Sequence, residues 1–337
     1  MTINTNISLK PYNTFGIDVQ AKFFTDIKHV ADIDAIRKQA IFNQPKLILS
    51  GGSNILFTKN FDGLVIKNSI KGIGIVKETD TEIYIKVNAG ENWHEFVQIC
   101  VENNWGGVEN LSLIPGQVGT SPMQNIGAYG VELKDVFHSL EAYNIKSGQI
   151  DTYLHAACEF GYRESIFKKT LKGQYIITSV IFKLSKNPTV NVSYGAIEQV
   201  LEERKITSPS IKDVSEAIVS IRESKLPNPK EIGNAGSFFK NPVIAKSHFE
   251  TLQKDYPNIV SYPISDTTVK VPAGWLIDNA GWKGKTFDNY GVHKNQALVL
   301  VNYNDAQGKD IFNLAETIQA DIFGKYEIDL DMEVNVL

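Results

Sequence analysis

The sequence predicts an α+β protein of two or three domains. Short strand patterns alternate irregularly with single helical patterns over residues 31–103, without the regular succession of a doubly wound sheet. A proline-rich break, LPNP at residues 226–229, then separates this region from a second run of strands and helices. With 337 residues, the chain is long enough for more than one sizeable core.

The elements follow in order. Residues 31–43 carry apolar side chains at helical spacing, and 46–50 (KLILS) form a short strand that runs into GGSN. Residues 64–67, 73–77 and 83–87 read as strands. Residues 92–103 form a helix, because Trp93, Phe96, Val97 and Cys100 share one face. Residues 140–145 and 149–153 make a hairpin around Ser147-Gly148, and 175–184 (YIITSVIFKL) is a strong strand. Residues 210–225 form an amphipathic helix with Ser210 as N-cap, and the main boundary is expected near Pro227. Beyond it the pattern gives helices at about 246–254, 274–280 and 308–324, with strands at 268–271, 297–302 and 329–336.

Composition narrows the function. A net charge of −4 without a basic block argues against a general nucleic-acid binder. Cys100 and Cys158 lie far apart and outside any CxxC pair, which argues against a disulfide framework or a cysteine zinc site. The six histidines show neither HxxxH nor HExxH spacing, so no metal site is expected. The opening MTINTNISLK has no apolar segment of signal-peptide length, and no run approaches the ~18 apolar residues that span a bilayer. A reducing, cytoplasmic setting without membrane insertion is the expectation.

Five stretches could carry chemistry. In LILSGGSN (47–54) a strand enters a turn of small residues whose backbone N–H groups can converge on a phosphate; alone, it reads equally as a glycine-rich turn. Residues 105–130 hold six glycines, two prolines and almost no charge, and within them 111–130 suits a wall against a planar ligand better than a solvated loop. Arg163, in FGYRESIFK, is either a carboxylate clamp or the partner of an acid such as Glu164. Glu333, in DMEVNV, alternates with Met332 and Val334 and on its own could face solvent. The stretch GNAGSFFKN (233–241), polar enough for a loop, places Ser237 outside any GxSxG elbow and beside no base. Such a serine is a poor nucleophile, but it can protonate a strong base such as a carbanion.

Together these segments resemble one family, the UDP-N-acetylenolpyruvoylglucosamine reductases (MurB). The matching pieces are NTFG (13–16), LSGGSN (49–54), GENWHEFV (90–97), LIPGQVGTSPMQNIGAYGVEL (113–133), FGYRESIFK (160–168), RESKLPNP (222–229), GNAGSFFKNP (233–242), AGWLIDNAG (273–281) and NQALVLVN (295–302). VSYG (192–195) resembles the tyrosine loop of the type I members. Where the family often ends in Pro-Glu-Val-Arg, this chain reads Met332-Glu333-Val334-Asn335.

The resemblance implies an FAD-binding module of the PCMH (vanillyl-alcohol-oxidase) type at residues 1–226, with subdomains at about 1–70 and 71–226. It further implies a smaller α/β substrate-binding domain at 227–325 and a C-terminal strand, 326–337, that returns to the active site. The implied reaction is NADPH-dependent reduction of the enolpyruvyl ether of UDP-N-acetylglucosamine to UDP-N-acetylmuramate, in peptidoglycan precursor synthesis. FAD would be held non-covalently, since neither GGSN nor 105–130 contains histidine or cysteine. Hydride delivery leaves carbanion character beside the substrate carboxylate. By resemblance, Arg163 and Glu333 hold and polarise that carboxylate, Glu333 sharing or donating a proton, and Ser237 gives the proton that completes the reduction.

The implied FAD-binding residues are Ser50, Gly51, Gly52, Ser53, Asn54, Ile114, Pro115, Gly116, Gly119, Thr120, Ser121, Gly127 and Arg222. The implied substrate-binding residues are Tyr129, Tyr194, Lys225, Asn241 and Lys283. A monomer acting on a small UDP-sugar is expected. A flavin oxidase of the same architecture and a non-catalytic binding module are the competing readings.

Overall fold

The computed structural model describes residues 2–337. It has the mixed helices and sheets of an α+β protein, in two compact units. The first unit comprises residues 1–7, 21–51 and 61–224; the second comprises 8–20, 52–60 and 225–337.

The first unit holds two larger sheets and a two-stranded ribbon, Gly127–Ala128 with Val131–Glu132. One has four strands in the order Ile3–Ser8, Gln20–Ile27, Phe61–Asn68, Lys46–Leu49. Phe61–Asn68 pairs in parallel with both of its neighbours, and buried Leu64, Val65 and Ile66 run along it without alternation, as a strand covered on both faces requires. The other sheet has five strands in the order Ile150–Leu154, Phe137–Asn144, Tyr175–Ser185, Glu82–Asn88, Ile73–Glu78, with antiparallel neighbours throughout. Tyr175–Ser185 is central because its β-branched run is buried along most of its length.

The helix Trp93–Glu102 packs on this sheet. Asn92 caps it by accepting the Glu95 N–H (3.1 Å). Trp93, Phe96 and Phe182 form an aromatic cluster with centroids 4.7 to 5.8 Å apart. Trp93 also donates its indole N–H to the carbonyl of Leu111 (2.8 Å), which fixes the start of the glycine-rich segment.

The second unit has a four-stranded sheet in the order Gly233–Ser237, Val299–Asn302, Tyr290–Val292, Thr286–Phe287. A three-stranded sheet runs Val243–Ala245, Thr268–Lys270, Tyr262–Pro263. Helices Lys246–Asp255, Ala273–Asn279 and Gly308–Tyr326 complete it.

Four expectations need correction. The helix expected at 31–43 is Val30–Arg37 followed by a separate 3-10 turn, Ala40–Asn43, because Gln39 is extended between them. Strand Ile3–Ser8 and helix Gly195–Glu203 were not expected; the first is polar and the second is short. The strand expected at 329–336 shrinks to Asn335–Val336, which pairs in parallel with Ile55–Leu56. Glu333 accordingly lies outside it and is half-buried. Finally, GNAGS is not a loop: Gly233–Ser237 is an edge strand with a register shift between Asn234 and Ser237. Its small residues suit a bulge rather than a turn.

Replacing Trp93 with Ala removes a fully buried indole and its hydrogen bond, and it should cost about 3–5 kcal/mol. Urea unfolding followed by far-UV circular dichroism measures this. A loss below about 1 kcal/mol would contradict the role given to the cluster.

Candidate active site

The turn after strand Lys46–Leu49 meets the glycine-rich segment through bare backbone. A Cβ added at Gly51 would lie 3.1 Å from the Cα of Gly116. One added at Gly119 would lie 2.4 Å from the Cβ of Ala89, closer than side chains tolerate. Gln117 locks the arrangement: its carbonyl accepts the Ser50 hydroxyl, and its amide donates to Gly90 O (2.9 Å). Residues 116–121 thus lie against 50–51 and 89–90, within the first unit.

The side chains around this cradle are small or turned inward. Ser121 is 1% exposed and donates its hydroxyl to Val118 O (2.7 Å), so its side chain is turned inward. Thr120 is exposed and donates to Gln117 O (2.8 Å). Ile114, Pro115 and Gly116 are half-buried or exposed, at the head of the segment. Bare backbone beside hydroxyl groups fits a pyrophosphate and the edge of a planar ring system, and so it fits FAD. Gly52, Ser53 and Asn54 continue the turn into the second unit.

Arg222 is half-buried in the first unit. Its guanidinium donates Nε–H to Leu113 O (3.2 Å) and is desolvated, which pulls its pKa down against the favourable hydrogen bond to Tyr129. Burial pushes the Tyr129 phenol up, and the ring meets Tyr194 edge-on at 5.2 Å. Tyr194 is 46% exposed. Asn110, fully buried, donates to the carbonyls of both Tyr129 and Asn191 (3.0 Å each), tying the two tyrosine segments together.

Arg163 sits on a turn with φ +56°, a strained conformation for a non-glycine residue. Its Nη2 donates to Gly127 O (2.6 Å), and its guanidinium lies 5.4 Å from the centre of the Tyr162 ring. Nη1 reaches Asn125 O at 3.5 Å, so two backbone carbonyls help orient the fork. Glu164 lies 4.0 Å from Lys169. Asn125 anchors the neighbouring backbone, donating to Glu132 (3.0 Å) and Gly161 O (3.1 Å).

Within the second unit, Ser237 and Glu333 are neighbours through the main chain. Glu333 N–H donates to Phe238 O (2.8 Å), Phe239 bridges Met332, and Lys240 N–H donates to Asp331 O (2.9 Å). Phe238 and Phe239 are fully buried, and Phe15 packs edge-on against Phe238 (6.3 Å), so the strand that presents Ser237 is fixed. Gly236 has φ +70° and donates to Asn234 Oδ1 (3.0 Å), which turns the chain just before the serine.

Asn54 donates to Glu333 O (3.2 Å). Asn335, where the family often has arginine, donates to Asn54 O from both its backbone (3.1 Å) and its side chain (3.0 Å). Asn241 accepts the Ala273 N–H (2.9 Å) at the start of helix Ala273–Asn279, Lys225 is exposed, and Lys283 is paired with Asp278. Sequence reasoning missed Gln117, Asn110 and His94. The one available signal was a side chain able to bond at both ends within a run of small residues.

Because a Cβ at Gly119 meets Ala89 at 2.4 Å, Gly119→Val should force residues 89 and 119 apart. A loss of about 1–3 kcal/mol by urea unfolding is expected, together with weaker flavin retention after gel filtration. Wild-type stability and flavin content would contradict the close approach.

The comparisons agree with this geometry. Residues 228–337 match the UDP-N-acetylenolpyruvoylglucosamine reductase C-terminal domain, and residues 22–152 match an FAD binding domain. The chain is 53% identical over 338 residues to the UDP-N-acetylenolpyruvoylglucosamine reductase of Flavobacterium johnsoniae, covering 100% of each. It is 48% identical to that of Amoebophilus asiaticus, again covering 100% of each. It is 46% identical to that of Pseudomonas syringae pv. tomato, covering 99% of this chain and 98% of the relative. The crystal structure of MurB from Thermus caldophilus shares the fold, with a TM-score of 0.69 over 99% of each chain at 23% identity. No helix among the described residues is long and apolar enough to cross a membrane. The chain belongs to the UDP-N-acetylenolpyruvoylglucosamine reductase family and is an FAD-dependent oxidoreductase built on a PCMH-type FAD-binding fold.

Proposed function

We propose that this chain reduces the enolpyruvyl ether of UDP-N-acetylglucosamine to UDP-N-acetylmuramate, with NADPH as hydride donor and Ser237 as proton donor. The observation that carries the residue-level reading is the main-chain pairing of the Ser237 strand with the Glu333 segment, led by the 2.8 Å bond from Glu333 N–H to Phe238 O. It supports a shared task for two residues that are 96 positions apart in sequence (333 − 237).

When bound, FAD supplies hydride transfer. The residues proposed to hold it are Ser50, Gly51, Gly52, Ser53 and Asn54 at the pyrophosphate, with Ile114, Pro115, Gly116, Gly119, Thr120, Ser121, Gly127 and Arg222 around the rest. Residues 1–226 would form the FAD module, 227–325 the sugar-nucleotide domain, and 326–337 the segment carrying Glu333.

Reduction of the substrate double bond places negative charge on the carbon beside the carboxylate. Arg163 holds that carboxylate through its fork, and Glu333 polarises it by sharing a proton, so the growing charge is stabilised as it forms. Ser237 Oγ–H then protonates the carbon. A neutral hydroxyl is acidic enough, because the enolate of a carboxylate is a strong base. Tyr129, Tyr194, Lys225, Asn241 and Lys283 bind the substrate, with the lysines and Tyr194 directed to the UDP phosphates. NADPH and the nucleotide sugar are both cytoplasmic, so the reading puts the enzyme in the cytoplasm, acting as a monomer.

The test is anaerobic. The flavoprotein is bleached with NADPH, and the enolpyruvyl UDP-sugar is then added. Return of the oxidised flavin spectrum with formation of the lactyl ether is expected. Failure to reoxidise, or fast reoxidation only by oxygen with an alcohol as donor, would overturn the reading in favour of an oxidase. Ser237→Ala should slow substrate reduction by about 100-fold or more while NADPH still bleaches the flavin at the wild-type rate. Equal loss of both half-reactions would remove Ser237 from the role of proton donor.

A further inference from the structure

Residues 111–113, which lead into the Ile114–Ser121 segment, are held between two helices by side-chain bonds from both. From helix Trp93–Glu102, Trp93 donates to Leu111 O (2.8 Å), and the ring Nδ1 of His94 accepts the Leu113 N–H (3.0 Å). From helix Ile211–Lys225, Ser215 meets Ser112 Oγ (2.8 Å), and Arg222 donates to Leu113 O (3.2 Å). Ser215 and Arg222 are seven residues apart, two helical turns, and so share a face. Leu113 is thus gripped at both its N–H and its C=O. It is also left-handed, with φ +57°, a conformation that leucine reaches only under constraint.

The His94 contact fixes the ionisation state of the ring. A backbone N–H can only donate, so Nδ1 must carry a lone pair and the ring proton must sit on Nε2. An imidazolium has no acceptor at either nitrogen and cannot make this bond. We propose that His94 is a positioning residue: in its neutral form it holds Leu113 left-handed and so sets the course of Ile114–Ser121, and its protonation releases that segment and loosens the bound flavin. This rests on the reading that Ile114–Ser121 lines the FAD.

The charges around His94 agree with a neutral ring at pH 7. Desolvation is the largest influence and pushes its pKa below the ordinary 6.5; Arg222 on the facing helix acts in the same sense. Glu223 on that helix and Glu95 on its own helix act in the opposite sense. Residues 111–113 bring no charge. The folded pKa is lowered, so the clamp is complete above pH 6.5 and is lost as pH falls through the lowered value.

The experiment follows FAD release from the flavin-loaded full-length enzyme, by recovery of flavin fluorescence after dilution, from pH about 8 to about 5. Wild type should release FAD about tenfold faster at the acid end. His94→Gln supplies an amide oxygen that accepts the same N–H and does not titrate. It should keep the neutral-pH rate and lose the acid acceleration. His94→Phe should release FAD quickly at every pH. An unchanged acid limb in His94→Gln, or wild-type retention in His94→Phe, would overturn the proposal.

If His94→Phe does not fold, nitrogen-15 NMR of the wild-type imidazoles decides the matter: a His94 ring protonated on Nδ1 at neutral pH excludes the clamp. Gly116→Val separates the two layers of the argument. If it leaves FAD release unchanged, the flavin-wall reading itself fails and the proposal falls with it. If it accelerates release and His94→Phe does not, the clamp alone is wrong.

Discussion

The approach of two bare backbones, Gly51 against Gly116, is the constraint on which the candidate cofactor site depends. At 3.1 Å from a would-be Cβ to the Gly116 Cα, a side chain at Gly51 would crowd the face where the turn meets the glycine-rich segment and make the backbone there give way. Close approach alone would leave both segments free to slide. Gln117 supplies the register, because it bonds Ser50 on one side and Gly90 on the other. The same segment is then fixed upstream by Trp93 and His94 and downstream by Asn125. The nearly uncharged composition of residues 105–130 follows from this. A loop whose backbone is bonded on every side has little use for long solvated side chains.

Much of the fold was legible because periodicity and burial agree within each element. Tyr175–Ser185 is β-branched, buried on both faces and central, and Trp93–Glu102 shows a single apolar face with an asparagine cap. The errors arose where side-chain pattern and backbone pairing diverge. Gly233–Ser237 has almost no side chains to alternate, so its strand character comes wholly from pairing with Val299–Asn302. The C-terminal segment alternates like a longer strand, yet only Asn335–Val336 finds a partner strand. Pairing between distant parts of a chain leaves no local trace when the residues concerned are small or polar.

The candidate site was legible to a different degree. Motif order across the chain pointed to the family, and through it to Ser237, Arg163 and Glu333. The residues that hold the backbone around the candidate cofactor cradle were not visible. Asn110, Gln117 and His94 act through bonds to main-chain atoms that local sequence does not bring together. A side chain that recognises a carbonyl or an N–H is indifferent to the identity of the residue bearing it. Such contacts carry no complementary signature that a sequence reading could pair up.

That indifference also bears on the path of the C-terminus around Asn335. Where the family often has arginine, Asn335 bonds Asn54 O with both its backbone and its side-chain N–H groups, and Leu337 donates to Leu56 O (2.9 Å). The course of the segment is therefore set by main-chain pairing on either side of Asn335, with a short amide adding one more bond to the same carbonyl. Glu333 is held by its own N–H to Phe238 O and by its C=O to Asn54, neither of which needs an arginine two residues later.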